Sequence, residues 1–211
     1  KARLDNAAIS WVSVDGEPKG AALLHDPLRR QAPRTMRRLR QAGFDRLVML
    51  TGDRLEPARE GATVLGLDEV YAHQTPADKV AAVRAEREKA VTVMVGDGIN
   101  DAPALAEADV GLAIGTGTDI AIEAADVVLM SGSLTGVPNA IALSKATIGN
   151  IRQNLFWAFA YNTALIPVAA GALYPAYGIL LSPVFAAGAM ALSSVFVLGN
   201  ALRLKTFKVQ G

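Results

Sequence analysis

Cysteine is absent from the 211 residues, which excludes a disulfide framework, a thiolate metal site and a cysteine nucleophile within this sequence. Histidine is nearly as scarce. His25 and His73 stand apart without metal-ligand spacing, and both are expected to be structural. No charge sign dominates, the formal net charge being +1, so nothing global points to nucleic acid. The most informative lack is local: charges are plentiful up to Arg152, yet none occurs between Leu155 and Leu202. What is abundant is apolar surface, at 51% of residues, ample for a core in one or two domains.

The uncharged run exceeds the roughly 20 residues of one bilayer crossing and suits two. "YPAYG" (174–178) is expected as the turn between them, and "LSP" (181–183) as the start of the second helix. Ser182 would be its N-cap, with Pro183 in the first turn. A soluble helical hairpin would show a polar face, and this stretch has none. Lys145 and Arg152 precede the first span, Arg203, Lys205 and Lys208 follow the second, and the loop is uncharged. The positive-inside rule therefore places both ends in the cytoplasm. No signal peptide is visible, and a start of "KARLDNAAIS" without methionine reads as a piece of a longer protein.

Upstream, "AISWVSV" and "KGAALLH" read as two strands joined at "DGEP". Four short apolar strands follow, "RLVML", "VTVMV", "VGLAI" and "DVVLM", alternating with helical stretches near 33–42, 55–65, 76–89 and 118–125. Such alternation predicts an α/β fold with a parallel sheet, whose ligands sit at the carboxyl ends of the strands. The arginine-rich "LRRQAPRTMRRLRQAGFDR" places Leu28, Met36, Leu39 and Phe44 near helical spacing, so it is expected as a solvated face over a packed stripe.

The chemistry gathers at the strand ends. Thr51-Gly52-Asp53 offers a hydroxyl and free backbone N–H groups, as a phosphate cradle requires. Lys79 in "TPADK" opens a helix and can bring a point charge to a phosphoryl oxygen. In "VMVGDGINDAP", Asp97 and Asp101 are hard oxygen ligands suited to Mg²⁺, and Asn100 adds an amide without charge. Two carboxylates this close repel unless a cation offsets them. Together the groups form a phosphoryl-transfer pocket around a metal.

"MLTGD", "TPADK" and "MVGDGINDAPALAEADVGLAIGTGTDIAIEAADVVLM" resemble the phosphorylation domain of P-type ATPases, within the haloacid-dehalogenase-like superfamily. The resemblance covers about residues 26 to 150, and the two spans continue it. It implies a domain order of 1–25 as the tail of a nucleotide-binding domain, 26–147 as the phosphorylation domain, 148–204 as two transmembrane helices and 205–211 as a cytoplasmic tail. In that family ATP phosphorylates an aspartate within "DKTGT". That motif does not occur here, so the chain alone is expected to be inactive and to need the N-terminal part of the same protein. The resemblance further implies that Thr51, Gly52 and Asp53 line the phosphoryl site, that Lys79 contacts the phosphate, that Asp97 holds Mg²⁺, and that Asn100 and Asp101 complete the pocket.

The spans must choose the cargo. "NLFWAFAYN" carries Asn154, Tyr161 and Asn162, and "MALSS" carries Met190, Ser193 and Ser194. Met and Ser are ordinary residues in a span, but an amide in hydrocarbon needs a partner, and a thioether favours a soft ion such as Cu(I). These patterns resemble copper-exporting heavy-metal ATPases. The resemblance implies Tyr161, Asn162, Met190 and Ser194 as ligands of transported Cu(I), a bacterial inner-membrane location, contact with lipid, a copper chaperone as supplier, and no nucleic-acid partner. The alternatives are a P-type ATPase for Zn or Cd, which would be expected to carry a membrane carboxylate, and a membrane-tethered phosphatase of the same superfamily.

Overall fold

A computed structural model describes residues 8–24, 27–115, 119–178 and 182–207. The expectations on His25 and Lys208, and the middle of the "GTGTD" loop, lie outside the described residues. The chain divides into two compact units, Lys1–Pro138 and Asn139–Gly211.

The first unit opens with an antiparallel hairpin of β1 (Ala8–Val14) and β2 (Glu17–Leu24). Its loop is only Asp15-Gly16, at φ 54° and 82°. Two left-handed residues match the twist of the flanking strands, and Asp-Gly tolerates that conformation. The turn is therefore tighter than "DGEP" suggested, with Glu17 and Pro18 already in β2 and Glu17 paired with Val14.

After α1 (Ala32–Gln41), strands and helices alternate: β3 (Val48–Leu50), α2 (Leu55–Leu65), β4 (Glu69–Tyr71), α3 (Pro76–Arg87), β5 (Val93–Gly96), α4 (Ala102–Glu107), β6 (Val110–Ile114), α5 (Asp119–Glu123) and β7 (Val127–Leu129). All strand pairs after the hairpin are parallel, as expected of strands separated by helices. The ladders form two pieces, β3 with β4 and β5-β6-β7 in that order. The two pieces share packing: Leu50 of β3 lies against a buried cluster of Val83, Met94, Ala104, Leu105 and Ala113. At Gly111 a Cβ would stand 2.7 Å from the Leu105 carbonyl oxygen, so the β6 backbone can approach α4 only as glycine. β4 and α4, three and six residues long, were not anticipated, because neither is long enough to show a period.

The second unit is helical. α6 (Gly136–Ala169) begins before the unit boundary, and its later half holds part of the stretch expected as the first span, which by length and apolarity does not itself qualify as a membrane-crossing helix. α8 (Pro183–Leu202) is N-capped by Ser182, whose side chain accepts the Val184 N–H, as expected. "YPAYG" proves to be more than a turn. Tyr174–Tyr177 form a helical turn, α7, closed by Gly178 in the left-handed conformation. Asn200 of α8 bonds to Asn150 and Asn154 of α6 while residues 203–207 lie beside 146–153, so the two helices run antiparallel. Among the described residues, one helical segment is long and apolar enough to cross a membrane, Ala187–Thr206. Phe156, Trp157 and Phe159 on α6 and Val195, Phe196 and Leu198 on α8 are all exposed. A hairpin buried in a soluble core would cover them.

Candidate active site

The turn after β3 is fixed by its own chemistry and by the exit of β4. Thr51 N–H donates to the Tyr71 carbonyl (2.9 Å), its carbonyl accepts the Gln74 N–H (2.9 Å), and the Asp53 carbonyl accepts the His73 N–H (2.9 Å). The Thr51 hydroxyl donates to Asp53 Oδ2 at 2.9 Å and accepts the Asp53 N–H at 3.1 Å. Thr51 is half-buried, while Gly52 and Asp53 remain exposed.

Lys79 is positioned by the start of α3. Pro76 occupies the first turn, and Thr75 and Asp78 form a reciprocal capping box. The Thr75 hydroxyl, and after it the Thr75 N–H, hold the Asp78 carboxyl below the usual carboxylate range. A lysine in the first helical turns opposes the helix dipole, so Lys79 needs an acidic partner. It finds one 22 residues away: Nζ donates to Asp101 Oδ1 at 2.7 Å, with both side chains largely buried.

Asp101 reaches that position by folding back over the end of β5. A Cβ on Gly96 would lie 2.7 Å from the Asp101 Cβ, so glycine is required there. Ile99–Asp101 form a single 3₁₀ turn, closed by the Asp101 N–H to the Gly98 carbonyl (3.0 Å). Asn100 on this turn is exposed. Asp97, at the tip, is half-exposed and meets the Arg29 guanidinium at 3.5 Å. The repulsion expected between the two acids is thus offset twice, by Lys79 on Asp101 and by Arg29 on Asp97. Arg29 was missed because the arginine-rich stretch read as a solvated face. Its signal was position, since it precedes α1 instead of lying on its stripe.

Lys79, Asp97 and Asp101 are therefore gathered at one turn, whereas Thr51 and Asp53 bond to each other and to the β4 exit. Among the described residues no three His, Asp or Glu side chains converge as a metal cage. The set nevertheless fits Mg²⁺, which keeps most of its waters and takes one or two carboxylates plus phosphate oxygens. Asp97 is half-exposed, with its Oδ2 against Arg29, and Asp101 is held by Lys79.

The polar residues of the helix pair are placed differently. Asn162 is exposed and its Nδ2 donates to its own helix at the Ala158 carbonyl (2.7 Å). The exposed Ser194 hydroxyl donates to the Met190 carbonyl (3.3 Å), and Met190 is 68% exposed. Tyr161 is half-buried, and its phenolic oxygen is buried with no hydrogen-bond partner among the described residues. Polar contacts between the helices instead lie at Asn150, Gln153, Asn154 and Asn200. Asn154 drew attention in the sequence, but Asn150 and Asn200 did not. Amides bracketing both edges of the uncharged run were the available clue.

The profile for haloacid dehalogenase-like hydrolases matches residues 2–109, and a second profile of the same description matches 79–141. Copper-transporting ATPase 2 of Rhizobium meliloti (strain 1021) is 60% identical over 93% of this chain and 24% of its own length. The silver exporting P-type ATPase of Salmonella typhimurium is 52% identical over 98% of this chain and 25% of its own length. The chain thus spans about a quarter of these relatives. Among solved structures, a zinc-transporting PIB-type ATPase in its E2.Pi state aligns over 96% of this chain and 32% of its own, with a TM-score of 0.79 and 36% identity.

Proposed function

Since this chain belongs to the haloacid dehalogenase-like hydrolase family, we propose that it is the phosphorylation region and last two membrane helices of a P-type ATPase that exports Cu(I). The observation that carries the phosphoryl-transfer half is the largely buried Lys79–Asp101 pair at the end of β5, beside the half-exposed carboxylate of Asp97. A cation held this way faces the site without being free to drift, and it compensates charge on a phosphoryl oxygen.

In this reading ATP is the phosphoryl donor, and the acceptor carboxylate comes from a segment outside this sequence. Asp97 holds Mg²⁺, which when bound neutralises phosphate charge. Lys79 binds phosphoryl oxygens, the exposed Gly52 N–H adds a neutral donor, and the Thr51 hydroxyl joins them by turning its single proton from Asp53 Oδ2 to the phosphoryl group while the Asp53 N–H keeps its oxygen in place. Asp101 keeps Lys79 oriented, and Asn100 lines the mouth of the site.

The cargo assignment is supported by the copper and silver exporters among the relatives and by the absence of any Asp or Glu after Asp126. A doubly charged ion would lack a carboxylate in these spans. Tyr161, Asn162, Met190 and Ser194 form a neutral, partly soft set, and the phenol of Tyr161, buried without a hydrogen-bond partner among the described residues, is a polar group in need of a ligand. The exposed apolar side chains of α6 and α8 then meet lipid and other helices of the same protein, in a bacterial inner membrane with both ends of this chain cytoplasmic. A copper chaperone would deliver the ion. The test is phosphoenzyme formation from ATP in the intact protein, titrated with Cu(I) and with Zn²⁺. Cu(I) is expected to stimulate it. Stronger stimulation by Zn²⁺ would overturn the cargo and favour the chemistry named for the solved zinc-transporting neighbour.

A further inference from the structure

Around Asn200 the two long helices are joined by a closed ring of amides. Asn150 Nδ2 donates to the Asn200 carbonyl (2.7 Å), Asn200 Nδ2 donates to Asn154 Oδ1 (2.8 Å), and Asn154 Nδ2 returns to Asn150 Oδ1 (3.2 Å). Gln153 Oε1 accepts a further, longer bond from Asn200 (3.4 Å), and Arg203 Nη1 donates to Asn200 Oδ1 (3.2 Å). Each asparagine is both donor and acceptor, so the ring is satisfied in one register only.

We propose that Asn150, Asn154 and Asn200 are positioning residues, a clamp that sets the register of α6 against α8 and thereby brings the Cu(I) ligands to one depth. The inference rests on the ligand assignment given above. In lipid no hydrophobic force presses one apolar helix face onto another, so interhelical hydrogen bonds carry a larger share of what sets register. The proposed ligands do not fix it, because Asn162 and Ser194 bond within their own helices.

The register set by the ring has a definite consequence. At about 1.5 Å per residue, Tyr161 and Asn162 stand about 10 and 12 Å beyond Asn154 along α6. Running antiparallel, Ser194 and Met190 stand about 9 and 15 Å beyond Asn200 along α8. All four therefore fall within a slab about 6 Å deep. At about 100° per residue, Tyr161 shares the stripe of Asn154, while Asn162, Met190 and Ser194 turn to the same flank of the pair. A slip of one residue would shift a ligand by about 1.5 Å and swing it by about 100°. Metal–ligand distances tolerate only about 0.2 Å.

The test uses the intact pump. Ag(I) binding is measured as a stand-in for Cu(I), with X-ray absorption reporting the metal–sulfur distance, and phosphorylation by inorganic phosphate reports folding. Asn200→Ala and Asn154→Ala are expected to weaken Ag(I) binding at least tenfold and to change the absorption spectrum, with phosphorylation by inorganic phosphate unchanged. Asn154→Asp keeps the acceptor for Asn200 and should recover most of the affinity. A purely structural role would instead lower yield, phosphorylation by phosphate and affinity together, and that result overturns the clamp. So does wild-type affinity in both alanine variants while Met190→Ala loses binding, which leaves the ligand assignment standing. If Met190→Ala binds Ag(I) normally, the ligand assignment falls and the clamp falls with it.

Discussion

The proposed phosphoryl site and the proposed ion site solve the same problem, placing polar groups where they cost most, in opposite ways. In the first unit each key group is held by a partner distant in sequence: Lys79 by Asp101, Asp97 by Arg29, and the Thr51 turn by the exit of β4. In the helix pair, the amide of Asn162 and the hydroxyl of Ser194 turn back onto their own helices, and cross-helix bonding occurs two to three turns away. A site built from long-range partners is rigid before substrate arrives, and breaking one partner leaves a buried charge uncompensated. A site built on two separately satisfied helices depends on their register and should respond by degrees.

The sharpest way to break that contrast is to disturb the first site. In the intact protein, Asp97→Asn is expected to lower ATP turnover by roughly two orders of magnitude or more, without loss of folding, because Asp97 is half-exposed. Lys79→Ala should cost both rate and stability, since it strands Asp101; breaking a well-buried pair costs about 3 kcal/mol. The double variant Lys79→Ala/Asp101→Asn should regain the stability and not the rate. Normal turnover in Asp97→Asn would remove its role. A double variant as unstable as the single would show that the pair is not what holds this turn.

Next in size is Gly96→Ala. Its Cβ would stand 2.7 Å from the Asp101 Cβ, so Asp101 or the strand end must move and carry the Lys79 partner with it. A turnover loss of about tenfold, equal to about 1.4 kcal/mol of barrier, is expected in a protein that still folds. In the helix pair, Met190→Ala should lower Cu(I)-stimulated phosphorylation from ATP several-fold, and Ser194→Ala should act in the same direction by less. A collapse as complete as that of Asp97→Asn would contradict the graded response expected of a register-set site.

How much of this was legible follows from the length of each signal. α2 and β6 lie where periodicity placed them, because the former spans three turns between caps and the latter is a continuous apolar run. β4 escaped because three residues carry no period. Lys79 and Asp101 were each visible as residues at element ends. That one would neutralise the other was not visible, because their pairing depends on α3 packing beside the β5 exit. The Arg29–Asp97 contact spans 68 residues and has no local trace at all. In the helices, length and the Ser182 cap were readable, while the amide ring was not, since a one-dimensional pattern does not say which turn of α6 meets which turn of α8.

The smallest expected effect separates the two units by acid. In the first unit, Asp68, Glu86 and Asp109 all have carboxyl groups below their usual range. The Leu47 N–H acts most on Asp68, the Arg46 guanidinium on Glu86, and the Thr92 N–H on Asp109. A lowered folded value means that the folded chain binds fewer protons than the unfolded one, so the stabilisation is full above the unfolded value near 4. It is lost as pH falls from there through the folded values. Asp68 and Asp109 keep about a third of their side chains in solvent and contribute little, and less at high salt, while Glu86 is largely covered. The helix pair has no such groups, because neither Asp nor Glu occurs after Asp126. Circular dichroism of the purified protein in detergent, melted at steps from pH 6 to pH 3, should therefore show a first transition whose midpoint drops below about pH 4, with residual helix unaffected. Asp68→Asn should make that drop shallower while slightly lowering the midpoint at pH 6, where the charged Arg40 contact is lost. Helix pair and first unit melting together at every pH, or an unchanged slope in Asp68→Asn, would mean that the acid response does not come from these carboxylates.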